Sequence, residues 1–318
     1  MPVGSVTTEV APGAAAARTI SLISFPLTGV AVAVGQMSGT LTGVTANTLT
    51  NTMAGWAAGE LSIAATPHLI RITSGAAKGR TFLISTSAGN SATTVTIDAE
   101  EAGLVDLTTA GITAGDTYEI LACDTLSSLL GTPATTGIQG GANADAADNI
   151  QILVQGQYRK YYYNTTREAW VRLGPEQISN NVPVRPDTAI TYSRLGQTPL
   201  EFTITGRVPT TDRKALVRNS GPTPLANGWP TDTTLATSGI ADIPGWVKNS
   251  SPTVADTVQI NLNGSSRKYY HDGTQWRRVG PNTPSNNVVL GVAEGVIIGK
   301  QGTQPGASTV QQNLPYNL

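Results

Sequence analysis

The C-terminal two-thirds of the chain repeat themselves, and this constrains the fold more than any other feature. Asp124-Thr125 recurs as Asp232-Thr233, Ala147-Asp148 as Ala255-Asp256, and Gln151-Ile152 as Gln259-Ile260, each 108 residues later. Arg159-Lys160-Tyr161-Tyr162 returns as Arg267-Lys268-Tyr269-Tyr270 at the same offset. Beyond it the offset falls to 106: Trp170 matches Trp276, Arg172 matches Arg278, and Gly174-Pro175 matches Gly280-Pro281. Asn180-Asn181-Val182 then matches Asn286-Asn287-Val288.

The loss of two residues falls where a hairpin turn is expected. Asp272-Gly273 is a strong two-residue hairpin signal. A turn centred there pairs Tyr269 with Trp276 and Lys268 with Arg277. In the first copy, a turn centred on Thr165-Thr166 pairs Tyr161 with Trp170. Aromatic cross-strand pairs of this kind contribute about 0.2–1 kcal/mol each.

Composition sets the class. The 318 residues include 45 Thr and 34 Gly, while only 13% are charged, a balance that favours strands and turns over helices. Segments such as Thr19–Phe25, Leu69–Thr73, Thr81–Ser85, Thr93–Ile97, Thr117–Leu121 and Leu200–Thr205 read as strands, and Gly29–Gly35 as a buried one. Short helical turns are expected near Asp98–Ala102 and Leu126–Leu130, and at Thr234–Thr237. The expectation is an all-β protein: a small N-terminal β-barrel or sandwich (1–123), then two duplicated β-rich modules with Tyr–Trp hairpins (124–231 and 232–318). The last module carries an extended tail from Gln301, which either stays with its own module or pairs with a neighbour's sheet edge.

Several motifs also point outward. Ile70-Arg-Ile-Thr-Ser-Gly75 with Gly79-Arg80 and Phe82 is one, and Ala114-Gly-Asp-Thr-Tyr-Glu-Ile120 another. With them go Tyr161-Tyr-Tyr-Asn and Trp170, Gly206-Arg-Val-Pro-Thr210, and Tyr269-Tyr-His-Asp-Gly and Trp276. Through them the stretch from about Leu69 to Leu318 resembles a family of uncharacterised β-rich bacterial proteins known chiefly from Verrucomicrobia. The resemblance implies a secreted or surface protein and carries no activity or catalytic residues with it. The N-terminus has no basic region followed by an apolar one, so no signal peptide is read there.

A search for chemistry finds no phosphate loop, no His-Glu-x-x-His and no Gly-x-Ser-x-Gly. No catalytic, cofactor or metal residues are assigned. Cys123 follows an apolar run and reads as a small core residue, and one cysteine permits no intrachain disulfide. Gly137–Ala142 reads as a loop. Asp98, Glu100 and Glu101 read as a solvated turn, and Asp145 and Asp148, beside Asn143 and Asn149, as a loop that could hold calcium weakly. Asn164, Asn249 and Asn263 match the N-glycosylation acceptor pattern. The candidate interaction residues are Arg159, Lys160, Tyr162 and Arg172 with Arg267, Lys268, Tyr270, Arg277 and Arg278. Cations interleaved with aromatics suit glycan or nucleic acid, although alternation favours a hairpin with one core face and one solvated face.

Net charge is −1, which excludes a globally basic nucleic-acid binder. Residues 1–157 carry four basic and eleven acidic side chains, and residues 158–318 sixteen and ten. Such asymmetry suits head-to-tail association, which builds rings or filaments. The expected function is therefore a non-enzymatic structural protein assembled in many copies, foremost a virion component such as a phage capsid-associated, tail or fibre-like protein. Its partners would be itself and other proteins of the same particle, with no membrane insertion. The alternatives are a secreted cell-surface or filament subunit and a carbohydrate-binding module. A glycan site requires some of Tyr161, Tyr162, Trp170, Tyr269, Tyr270 and Trp276 to be exposed.

Overall fold

A computed structural model of the chain describes residues 2–14, 17–29, 35–98, 106–154, 157–262, 265–302 and 306–316. The expected strand at 29–35 and helical turn at 98–102 fall largely outside these residues. The protein is all-β, built from several antiparallel sheets, and the longest helix among the described residues is Leu126–Leu130.

The first body centres on a six-stranded sheet. Its order is Gln177–Ile178, Ala169–Arg172, Gln157–Asn164, Asn149–Val154, Ile190–Arg194 and Thr19–Ile23. It shares one hydrophobic core with a two-stranded ribbon in which Val3–Val10 pairs with Leu200–Arg207. Alternation explains the ribbon: Val6, Thr8 and Val10 turn inward while Thr7 and Glu9 face water. The second body repeats the plan. Trp276–Arg278, Ser265–His271, Thr257–Leu262, Gly295–Lys300 and Gly221–Ala226 form its sheet, and Arg213–Arg218 pairs with Ala307–Gln312 as its ribbon. The tail thus pairs within its own chain.

This pairing moves the expected boundaries. Val3–Val10 and Thr19–Ile23 join the first body instead of a module spanning 1–123, and Arg213–Arg218 and Gly221–Ala226 join the second instead of the first. The remaining N-terminal stretch is an insert. Gly29 and Ala122 form an antiparallel bridge, so its two ends lie side by side. Within it, a four-stranded and a three-stranded sheet enclose a core that includes Leu49, Ile70, Phe82, Val95 and Ile120.

The regrouping redistributes charge as well. The insert (29–123) carries seven acidic and three basic residues, and the second body (208–318) six and nine. The first body is balanced at eight of each. The sharp contrast between the sequence halves becomes a gentler gradient across three bodies.

Both hairpins form, but in a shifted register. Trp170 lies opposite Tyr163, and Trp276 opposite His271. Tyr161 and Tyr269 face Arg172 and Arg278 instead. The cause is the residue that starts each turn. The Asp272 carboxylate accepts the amides of Thr274 and Gln275, so aspartate takes the first turn position and Gly273, with φ +108°, the second. Asn164 accepts the amides of Thr166 and Arg167 in the same way. Moving the turn centre by one residue shifts the pairing by two, which keeps every side chain on its expected face. Tyr163 and Trp170 meet edge to face at 6.0 Å. A double-mutant cycle on Tyr163→Ala and Trp170→Ala should yield a coupling of about 0.5–1.5 kcal/mol. Strict additivity would refute the pair.

Candidate functional site

The hairpins hold every interaction residue expected from the sequence. Tyr161, Trp170, Tyr269 and Trp276 turn into the two cores. Tyr162 and Tyr270 occupy the opposite faces, yet both are also buried. Tyr162 packs on Ala144, Ala147 and Val171, and its hydroxyl donates to Glu176 Oε2 at 3.0 Å. The Tyr270 hydroxyl donates to Asn282 Oδ1 at 2.7 Å. Glu176 and Asn282 sit in the left-handed region at φ 54° and 53°, so each tyrosine pins the turn that follows its hairpin. None of the six aromatics exceeds 2% exposure. A sugar ring has no face to stack on there, and the expected glycan platform is absent from these hairpins.

The cations divide between the two sheets. Arg159, Lys160, Arg172, Arg267, Arg277 and Arg278 are half-buried and Lys268 is exposed. Arg277 is occupied locally: it pairs with Asp272 and donates to the Asn282 carbonyl. Arg159 lines a cleft of about 270 Å³ between the insert and the first body, shared with Leu83, Thr86, Arg185 and Ile190.

Asp148 has a structural part that the sequence reading missed. It is 1% exposed, so it is no loop ligand for calcium. Its carboxylate pairs with Arg194 and accepts from the Tyr192 hydroxyl at 2.8 Å and from the amides of Gln139 and Leu195 at 2.9 and 2.7 Å. Asp256 builds the corresponding node in the second body. It pairs with Lys300 at 3.0 Å and accepts the amides of Val247 and Gln301 at 2.9 and 2.7 Å. Each node ties the loop before the central strand to the end of the neighbouring strand. Pairing and hydrogen bonding offset the cost of burying such a carboxylate. The signal was in the sequence: Asp148 and Asp256 stand at the 108 offset, Arg194 and Lys300 at 106.

A second charged cluster lies where the three bodies join. Arg71 of the insert pairs with Glu119, whose other oxygen is 3.4 Å from Arg207 of the first body. Arg185 pairs with Asp187 at 2.7 Å. Arg213 of the second body is 6% exposed and donates to the carbonyls of Pro26 and Gly228. Arg80, also 6% exposed, lies 5.0 Å from the centre of the Phe82 ring. Desolvation lowers both Arg80 and Arg213 to about 10, which leaves them protonated at neutral pH.

Cys123 is buried beside Leu69 and Leu121, and burial pushes its thiol well above the ordinary range, which makes it inert. Asn164 is buried with its amide donating to Ala142 and Tyr162, a position closed to glycosylation. Burial also lowers His68 and His271, because it disfavours the imidazolium. The unfolded chain therefore takes up these protons first as the pH falls. Their contribution is complete above the unfolded value of about 6.5 and is lost as the pH drops from there toward the folded values. Thermal melts of wild type and His68→Gln across that window should show the wild type losing more stability on acidification. Parallel curves would mean that His68 titrates alike in both states.

Among the described residues no group of three or more His, Cys, Asp and Glu side chains is placed to hold a metal ion, and no helix is long and apolar enough to cross a membrane. No family model, curated protein or solved structure matches the chain.

Proposed function

We propose that this chain is a non-enzymatic structural protein that assembles in many copies, as the component of a particle such as a phage virion. The observation that carries the reading is an open strand edge. Val3–Val10 runs for eight residues as one side of a two-stranded ribbon, and among the described residues its outer edge makes no backbone hydrogen bond. It carries neither proline nor lysine, the usual protections of an edge. Two other long edges are protected. Arg213–Arg218, the corresponding strand of the second ribbon, donates its Lys214 amide to Gly79 of the insert. The sheet edge Gly221–Ala226 carries Pro222 and Pro224. A strand left open in this way is a template for pairing with a second chain. The gradient of charge from an acidic insert to a basic second body favours head-to-tail order.

The test is sedimentation of the untagged protein at low and high salt, followed by negative-stain microscopy. Rings, tubes or particles support the reading, and Ser5→Lys with Thr7→Lys should return the protein to monomers without lowering its melting temperature. A monomer at every salt and protein concentration overturns it.

A further inference from the structure

A groove of about 550 Å³ lies between the first and second bodies. Its walls are the sheet faces turned away from the two cores. Ile150 and Ile152 point into the first core, and Gln151 between them lines the groove. Val258 and Ile260 point into the second core, and Gln259 lines the same groove. The two glutamines stand at the 108 offset, so the duplication brings one residue from each copy to a shared space. Their surroundings also correspond: Gln151 lies opposite Thr191, and Gln259 opposite Ile297, the counterpart of Thr191 at 106. The walls are joined directly, because Asn261 of the second donates its side-chain amide to the Ile20 carbonyl of the first at 3.1 Å. The walls differ at one pair, Tyr158 and its counterpart Ser266. Tyr158 is 39% exposed, unlike the buried aromatics of the hairpins. Desolvation raises its phenol, which therefore stays protonated at neutral pH. The amides of Gln151 and Gln259 and the hydroxyls of Tyr158 and Ser266 have no hydrogen-bond partner among the described residues. No acidic side chain lines the groove among those residues, and its cation, Arg18, donates to the carbonyls of Ala144, Asp145, Ala147 and Ser193.

We propose that this groove binds a short neutral saccharide. A side-chain amide presents a donor and an acceptor side by side, which matches two neighbouring hydroxyls of a sugar. Gln151 and Gln259 offer two such pairs from opposite walls. The Tyr158 ring offers an apolar face to the C–H face of a pyranose, and Ile20 and Ile297 extend that apolar surface. A wholly apolar molecule would leave the amides and hydroxyls desolvated without partners, and an ionic one meets no uncommitted counter-charge. The volume falls within the range of small-molecule sites, about 300–1,000 Å³. Both walls belong to one chain, so the site exists in the monomer and goes beyond the structural role.

The experiment titrates the full chain with neutral trisaccharides of glucose, galactose, mannose and N-acetylglucosamine, and with sialyllactose as an anionic control, read by saturation-transfer NMR. At least one neutral trisaccharide should bind with a dissociation constant of about 1 mM or below, as expected of a molecule held by a few hydrogen bonds. Gln151→Ala and Gln259→Ala should each weaken that binding about threefold to tenfold, the effect of losing one amide contact. Tyr158→Ser copies the second wall onto the first and should weaken it at least as much. All three positions lie off the cores, and unchanged melting temperatures check that the variants fold. A crystal soaked in the bound trisaccharide gives a readout independent of any variant, density between Gln151 and Gln259. No binding of any neutral trisaccharide at about 10 mM, tenfold above the expected constant, overturns the proposal. Binding of sialyllactose alone overturns it too, since that requires a free cation. Binding that all three variants leave unchanged overturns it as well, because the sugar then sits elsewhere.

Discussion

Replacing Asp148 with alanine is expected to destabilise the protein by about 3–5 kcal/mol, as measured by urea unfolding. The loss comes from what stays behind. Arg194 is 3% exposed and would be left with the carbonyl oxygens of Thr198 and Gly137 but no carboxylate, while the Tyr192 hydroxyl and the Gln139 and Leu195 amides would lose their acceptor. The combined change Asp148→Leu with Arg194→Met removes both charges and should recover much of the loss, because an apolar pair leaves no buried ion behind. A cost below about 1 kcal/mol for Asp148→Ala would show that water reaches the node and that the pairing is incidental.

Trp170→Ala should cost a similar amount, about 3–5 kcal/mol. The ring is 1% exposed in the core of the first body, and its Nε1 donates to the Gly131 carbonyl at 3.0 Å, which ties the sheet to the end of the Leu126–Leu130 helix. Truncation opens a cavity and frees that carbonyl together. Hydrogen exchange locates the effect: protection should fall in the Gln157–Asn164 and Ala169–Arg172 strands and persist in the equivalent strands Ser265–His271 and Trp276–Arg278. Equal loss in both hairpins would mean that the two bodies unfold as one unit.

The strands that could be read from the sequence are those whose signal is local. His68–Ile72, Thr81–Leu83, Thr94–Thr96, Thr117–Ala122 and Leu200–Arg207 form within two residues of the expected segments. Local alternation also placed Tyr161, Trp170, Tyr269 and Trp276 in the cores as expected, whereas the opposite face, expected to be solvated, buries Tyr162 and Tyr270. The register did not follow, because it depends on which residue opens the turn. Asn164 and Asp272 begin their turns through side-chain hydrogen bonds, which move each turn one residue past the expected Thr165-Thr166 and Asp272-Gly273 centres. The insert was hidden for a different reason. Identity between the copies starts at Asp124, whereas Thr19–Ile23 and Gly221–Ala226 hold matching sheet positions with hardly a residue in common. Edge strands need only fit a pleated, half-buried surface, and many sequences do so. The Asp148 and Arg213 environments escaped notice because their partners come from distant parts of the chain.

The bridge between Gly29 and Ala122 has a consequence for the order of events during synthesis. Thr7 must wait for Thr203, its partner 196 residues later. At about 5–20 residues per second the N-terminal strand leaves the ribosome roughly 10–40 s before the strand it pairs with exists. The insert is complete long before that, and its described strands pair with one another. Once folded, it brings Gly29 and Ala122 together and turns a long disordered loop into a short one, which lowers the entropy cost of closing the first body. The corresponding wait in the second body is about half as long, because no insert separates Arg213–Arg218 from its partner Ala307–Gln312. The nascent chain therefore passes through a stage in which the insert is folded and a long, unprotected strand hangs free at its N-terminus. During that interval a neighbouring chain competes with the chain's own Leu200–Arg207 for the same edge.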